Sequence, residues 1–424
     1  MNNWHVVVVG GGAAGMMAAG QAAELGAKTL LIEKMNSPGR KLRITGKGRC
    51  NLTNIAPLPQ FISHFGKNGK FLRQTFHHFF TNDLLDFFHK LNVPTITERG
   101  GRVFPASEDA VQVVDAYFRW VRQNNVTIQL NTSVRQILTE GKQAVGVEVE
   151  ITEPKTRAKK IQQIPAETVI VATGGSSYFG TGSTGDGYRW AEALGHKIEP
   201  IHPALVPLVT PKEVVPRLQG LSLKNVNVSL WIDGRKNTEM PGEMLFTHFG
   251  LSGPVILTIS KIAVEALQAN QKVEVAIDLK PALDHPKLDA RLLREIDEHG
   301  KRKFHTMLRT LLPGSLIPVF IDLLGIPEDK ACHQISASER KKIRLLLKEF
   351  RIPVTGHRPL NEAIITAGGV SLKEIDPRTM GSRLIENLYF AGEVLDIDAD
   401  TGGYNLQAAF STGWLAGRSA AESV

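Results

Sequence analysis

Gly10, Gly12 and Gly15 in "GGGAAG", with Glu33 standing 18 residues beyond Gly15, are the first residues in the chain whose types and spacing could do chemistry. Such a run suits a dinucleotide: the first glycine makes a tight turn, the second lets backbone approach a pyrophosphate, and the third lets helix and strand close on each other. The helix N-terminus then faces phosphate, and the acid accepts from ribose hydroxyls. Close behind follows "GRKLRITGKGRCNLTN" (39–54), with three glycines, five Lys or Arg and no acid. Near the far end, "NLYFAGEVLDIDADTGGYNLQAAFSTGWLAG" places Gly392 and Glu393 after a strand and Gly402 and Gly403 at a helix start. A helix N-terminus there suits the negative charge that develops on a reduced flavin, which favours FAD over NAD. A second glycine match, Gly180, Gly182 and Gly185 in "GTGSTG", follows loop and has no acid about 20 residues on, so it reads as no separate nucleotide site. NAD(P)H, if used, would bind transiently without a Rossmann domain of its own.

Two residues are candidate proton donors. Cys50 lies in sequence among Arg43, Lys47 and Arg49, whose charges would lower its pKa; the alternative is a small structural residue. His248 in "FTHFGLSGP" precedes a Gly-Pro helix start and could protonate carbon or bind a carbonyl; the alternative is a buried structural histidine. Ser252 reads as a helix cap, and His305 and His333 as surface residues.

The elements that must position these groups can be read from pattern. "HVVVVG", "GGAAGMMAAGQAAELG" and "KTLLIEK" form a βαβ opening. Helical patterns follow at about 70–91 and at 107–124, the second starting at Ser107. Residues 126–164 alternate as a small antiparallel insertion, and "ETVIVATGG" returns to a buried strand. From about 195 the chain turns Pro-punctuated and β-rich, with a mainly helical, basic stretch over roughly 283–350. The expected division is 1–194 and 357–424 for the nucleotide domain, with 195–356 as an inserted β-rich domain.

Composition sets limits on the class. The 424 residues, 42% hydrophobic, suffice for a sizeable folded core. No apolar run approaches the roughly 18 residues of a membrane span, and no signal sequence is seen, so a cytoplasmic protein is expected. Two cysteines outside any CxxC exclude a disulfide framework and paired-thiol metal chemistry, and no metal is expected. The net charge of +8 is unevenly spread. Residues 34–82 hold nine basic residues and no acid, and residues 280–360 hold sixteen basic and ten acidic ones. Localised positive charge points to an anionic ligand or partner.

Taken together, "GGGAAG", "GRKLRITGKGRCNLTN", "GGRVFP", "VATGG", "LFTHFGLSGP", "TAGGV" and the C-terminal run resemble a bacterial flavoprotein family, the NAD(FAD)-utilizing dehydrogenases, over the whole chain. The resemblance implies an α/β fold: a Rossmann-type FAD-binding domain of glutathione-reductase type, interrupted by a β-barrel-like domain with a helical subdomain. It implies non-covalent FAD and reduction of an activated C=C, either a ring enone of a bile acid or a uracil of 23S ribosomal RNA. Carried onto this chain, Gly10, Gly12, Ala14, Gly15 and Glu33 would hold the ADP half, with Lys34 beside them. Arg40, Lys41 and Arg49 would lie along the cofactor, and Cys50 and Asn51 would approach the flavin. Val134 would meet adenine through backbone, Thr173 and Gly174 would pass the pyrophosphate, and Gly392 and Glu393 the ribityl chain. Gly403, Tyr404, Asn405 and Leu406 would face the pyrimidine edge.

A basic helical subdomain suits RNA, whose binding is dominated by phosphate neutralisation, whereas a small enone has no use for it. The expected substrate is therefore a uridine of 23S rRNA, with a bile-acid-like enone as alternative. A further alternative is an RNA-binding flavoprotein without reductase activity.

Overall fold

A computed structural model of the protein describes residues 4–152 and 159–424. The chain divides into two compact units, Met1–Pro203 with Leu360–Val424, and Ala204–Pro359. The first division falls later than position 194 because the strand Ile198–Ala204 pairs with Ile365–Val370 and stays with the nucleotide fold.

The core of the first unit is a parallel sheet. Its strands run in the order Thr127–Gln129, Thr29–Ile32, Trp4–Val9, Lys159–Val171 and Leu388–Phe390. Val6 to Val9 form an unbroken apolar run at the centre, each at most 4% exposed, as a parallel strand covered on both faces requires. The helix Ala13–Glu24 is apolar nearly all round and buried. It packs on the C-terminal helix Tyr404–Glu422 through small residues. A Cβ on Gly413 would lie 2.3 Å from the Ala14 carbonyl oxygen, and one on Gly417 2.3 Å from that of Ala18, so only glycine permits this approach.

The expected 126–164 insertion needs correction. Thr127–Gln129 joins the parallel sheet beside Thr29–Ile32. Only Thr132–Glu140, Gln143–Thr152 and the first half of Lys159–Val171 form the antiparallel meander; residues 153–158 of that expectation lie outside the described ones. Lys159–Val171 is one long strand serving both arrangements. The helix expected at 70–91 is two, Arg73–His78 and Thr81–Lys90, divided at an extended Phe79. The helix expected from Ser107 begins at Ala110, because the Asp109 carboxylate accepts from Val111 N at 2.8 Å.

The second unit is an antiparallel sheet of seven strands, with Phe350–Val354 at one edge and Gly356–His357 at the other. These edges are consecutive in sequence, so the sheet curls round like a barrel to bring both to one segment. Helices from His285 to Lys348 form a mostly helical portion of this unit. Gly253, not Ser252, precedes the helix Pro254–Gln268, which has no side-chain cap; Ser252 is a strand residue paired with Leu245.

Candidate active site

The fingerprint glycines are held as the close approach demands. Gly10 adopts φ +105°, and a Cβ there would lie 2.5 Å from the Ala172 carbonyl oxygen. A Cβ on Gly15 would lie 1.7 Å from the Gly10 oxygen, while one on Gly12 would meet only open space. No side chain caps the helix that follows, so the N–H groups of its first turn are left to a ligand. Glu33 accepts from Gly11 N at 2.7 Å and from Met35 N at 2.8 Å. Burial pushes its pKa up, against those two N–H groups and the charges of Lys34 and Arg40. Thr132 N donates to the Glu33 carbonyl, which brings Val134, buried in the next strand, to this end of the site. Thr173 abuts Gly10, and Gly174 follows in a left-handed turn at φ +72°. Gly392 lies against Ala14: a Cβ on it would come within 2.8 Å of the Ala14 methyl.

The basic segment winds tightly, with Gly46, Lys47, Gly48 and Cys50 all at positive φ. Left-handed non-glycine residues cost of order 1–2 kcal/mol each, so this shape must be held by its surroundings. Its far end reaches the C-terminal helix. Asn54 Nδ2 donates to the Gly402 carbonyl at 3.1 Å, and a Cβ on Gly403 would come within 2.3 Å of the Thr53 oxygen. The segment Cys50–Asn54 and the turn Gly402–Leu406 are thereby brought together. Asn405 closes that turn by bonding Ala399 N and Ala399 O; Leu406 lies half-buried beside it.

Most cations here are paired, though Lys47 is exposed and pairs with no acid among the described residues. Lys34 bonds Asp186 and Thr184, each at 2.6 Å. Lys41 bonds Glu393 at 2.7 Å and Ser177 at 2.9 Å. Glu393 also accepts from Thr366 N at 2.8 Å. Arg43 meets Asp115 at 3.3 Å, and Arg40 makes a long 3.4 Å contact to Asn36. Arg49 bonds Glu98 at 2.7 Å and Glu108 at 2.8 Å, and its guanidinium covers the Phe104 ring at 4.1 Å.

This overturns the expected state of Cys50. The thiol is fully buried, and burial pushes its pKa up to about 12, with only a Thr45 hydrogen bond pulling it down. Its basic neighbours in sequence do not act on it, because each faces elsewhere, toward an acid or solvent. His248 belongs to the second unit, exposed on the turn between Arg235–Phe246 and Gly250–Ser252, with its ring edge-on to Phe249. It is not a buried structural histidine.

A cluster at the C-terminal turn escapes sequence reading. His64 Nδ1 lies 2.8 Å from Asp400 Oδ2, and its ring stacks on Tyr404 at 3.9 Å and 20°. Tyr404 also meets Phe61 edge-on at 4.8 Å. Burial, then the Asp400 charge, raises the Tyr404 pKa. The alternating Asp396, Asp398 and Asp400 before Gly402 were the available signal; nothing around His64 marks it.

These residues fit an extended dinucleotide. Two glycine-led helix starts, at Gly12 and at Gly403, carry no side-chain cap, and Gly392 packs against Ala14 beside the first of them. Asn51 Oδ1 is buried without a hydrogen-bond partner among the described residues, as a group awaiting a donor would be. For a metal, among the described residues Glu295, Glu298 and His299 have ligand atoms within 4.8 Å of one another. Glu295 is already bonded to Thr310 at 2.8 Å. Among the described residues, no helix is long and apolar enough to cross a membrane.

Comparison with known proteins agrees with this geometry. A family model described as HI0933-like protein Rossmann domain matches residues 4–419. The 3-dehydro-bile acid delta(4,6)-reductase of Clostridium scindens is 30% identical over 420 residues, spanning 99% of each chain. The ribosomal RNA dihydrouridine synthase of Escherichia coli is 30% identical over 414 residues, 98% of this chain and 97% of that one. Among solved structures, 3-ketosteroid delta1-dehydrogenase from Sterolibacterium denitrificans superposes with a TM-score of 0.54 over all of both chains, at 14% identity, a likeness of fold alone. With the fingerprint, the returning C-terminal helix and a full-length family match in agreement, the chain belongs to the HI0933-like family of FAD-binding Rossmann flavoprotein oxidoreductases.

Proposed function

We propose that this flavoprotein draws reducing equivalents from NAD(P)H and saturates an activated C=C, its substrate being a uridine of 23S ribosomal RNA and its product dihydrouridine. Bound FAD would supply a hydride to the ring carbon β to a carbonyl. Gly10, Gly12, Ala14, Gly15 and Glu33 would hold its ADP half, with Val134 backbone at the adenine and Thr173 and Gly174 at the pyrophosphate. Gly392 and Glu393 would meet the ribityl chain. The uncapped N–H groups at Gly403, Tyr404, Asn405 and Leu406 would meet the flavin's pyrimidine edge, with Asn51 across from them. Lys34, Lys41 and Arg49 would act through the acids they bind, fixing the loops around the cofactor, and Arg40 would face it from beside Glu33.

The observation that carries the RNA reading is a set of exposed cations in the helical part of the second unit. Arg294, Lys301, Arg302, Lys303, Arg309, Lys341 and Lys342 are all exposed and pair with no acid among the described residues. Clustered in one helical stretch, such cations suit phosphate, whose neutralisation dominates binding to RNA. The full-length likeness to the E. coli rRNA enzyme supports the same reading. The equal identity to the C. scindens reductase favours a second one, reduction of a steroid-like ring enone.

Mapping dihydrouridine in 23S rRNA from a strain lacking this protein tests the proposal. Loss of the modification at one position, restored by the gene in trans, is the expected result. Unchanged rRNA would turn the assignment to the enone.

A further inference from the structure

We propose that His64, held by Asp400 and laid flat on Tyr404, is the general acid of the reduction; this rests on the reductase reading above. The Asp400 carboxylate is an acceptor, so the 2.8 Å contact places a proton on His64 Nδ1. Nε2 is then the nitrogen that gains and loses a proton. It has no partner among the described residues, and the side chain is 26% exposed, so that nitrogen is open to a substrate. An imidazole oriented through one nitrogen and free at the other is the arrangement general acid–base catalysis needs.

The location fits the chemistry. Tyr404 is the first residue of the C-terminal helix and Asp400 stands two residues before Gly402. The same turn is packed against Thr53 and Asn54, at the end of the segment that carries Asn51. The groups expected to flank the redox end of a bound dinucleotide therefore meet where His64 stacks. Of the two donors expected from sequence, Cys50 is buried with its thiol held protonated. The titratable groups packed around His64 are Asp400 and Tyr404, with Asp396 held four residues along by Asn68 Nδ2 at 2.9 Å.

The step balances as follows. The carbon β to the carbonyl receives the hydride, originally from NAD(P)H, and the C=C pair moves onto the carbonyl as an enolate. As the carbonyl re-forms, that pair takes the proton of His64 Nε2 to make the new C–H bond at the α carbon. The N–H electrons stay on Nε2, the imidazolium becomes neutral, and solvent reprotonates it. Asp400 remains a carboxylate throughout.

The test uses full-length protein and three readouts. In wild type, the His64 imidazole resonances, assigned by their absence in H64Q, should report an Nδ1–H tautomer when neutral and should move when FAD is added to apoprotein. H64Q should still take up FAD and still be bleached by NAD(P)H. Reoxidation of its reduced flavin, by a 23S rRNA fragment or by whichever ring enone wild type accepts, should slow at least about 100-fold and lose the fall-off with rising pH. D400N should fold and slow the same step. His64 resonances indifferent to FAD, or H64Q reoxidation within about threefold of wild type with an unchanged pH profile, would overturn the proposal. A wild-type reduced flavin that passes electrons to neither RNA nor enone would instead remove the reductase reading, and this role with it.

Discussion

Two basic regions of this molecule look alike in sequence and differ in structure. In the segment 34–49, four cations close on acids remote in the chain: Lys34 on Asp186, Lys41 on Glu393, Arg43 on Asp115, Arg49 on Glu98 and Glu108. In the helical part of the second unit some pairs also form, as between Arg340 and Asp289, but seven exposed cations are left over. The difference teaches that a window's net charge is not its available charge. Between positions 34 and 49 four of six cations are spent on shape, with Arg40 and Lys47 left without an acid; the helical stretch leaves seven exposed among the described residues.

The sharpest way to break that contrast is to remove three of the leftover cations. K301A/R302A/K303A should weaken binding to a 23S rRNA fragment by about tenfold or more in 0.1 M salt. The slope of log affinity against log salt should fall by roughly 2–3, with the flavin spectrum unchanged. Filter binding across a salt series reads this, and an unaltered slope would place the RNA contact elsewhere. Next in size is Glu393→Gln, which leaves Lys41 half-buried beside a neutral amide. Loss of about 1–3 kcal/mol is expected, seen as a lower unfolding temperature and easier loss of FAD, with the salt slope of RNA binding unmoved.

An acid titration tests the latch of the first region against a buried histidine of the same unit. Burial pushes the Asp186 carboxyl up, but the Lys34 ammonium, with Thr184 and Arg189, more than offsets this and leaves it below its ordinary value. A group lowered on folding contributes stability that is present above its unfolded pKa and is lost only as pH falls through the folded one. The Lys34 latch should therefore hold from neutrality down past pH 4. His196 behaves differently: burial lowers its pKa despite Glu374, so its stabilisation is full above the ordinary histidine value near 6.5 and declines as pH falls below it. Thermal melts should decline between neutrality and pH 5, and His196→Gln should flatten that limb. The smallest effect belongs to Cys50. Iodoacetamide at pH 8 should leave it unlabelled in folded protein, and Cys50→Ala should turn over within about twofold of wild type; labelling as fast as a free thiol would contradict its burial.

Much of the fold was legible from residues 1–34 and 387–417, because glycine turns and uniform apolar runs are local signals. The Rossmann opening and the returning helix needed no tertiary knowledge. The state of the basic segment did need it: Lys41 and Glu393 are 352 positions apart, so no window holds both. Cys50 was misread for the same reason. Residues adjacent in sequence do not face one another in a chain wound through Gly46, Lys47 and Gly48, and burial, not neighbouring charge, sets the thiol. His64 was missed because its chemistry is made by a stack and an ion pair to the other end of the chain. The boundary of the Lys159–Val171 strand was blurred because a single strand pairs antiparallel at its start and parallel at its end.

The parallel sheet has a consequence for how the protein is made. Leu388–Phe390 completes the sheet against Val169–Val171, and Gly413 and Gly417 seat the last helix on Ala14 and Ala18. On the ribosome these residues emerge only after the whole of Ala204–Pro359, a continuous unit able to fold as it appears. The nucleotide fold must wait, its first half translated early yet lacking the strand and helix that close it. Cofactor capture therefore waits until Leu388–Phe390 and the helix Tyr404–Glu422 have emerged, and a nascent chain stalled before Leu388 should be the form most dependent on chaperones.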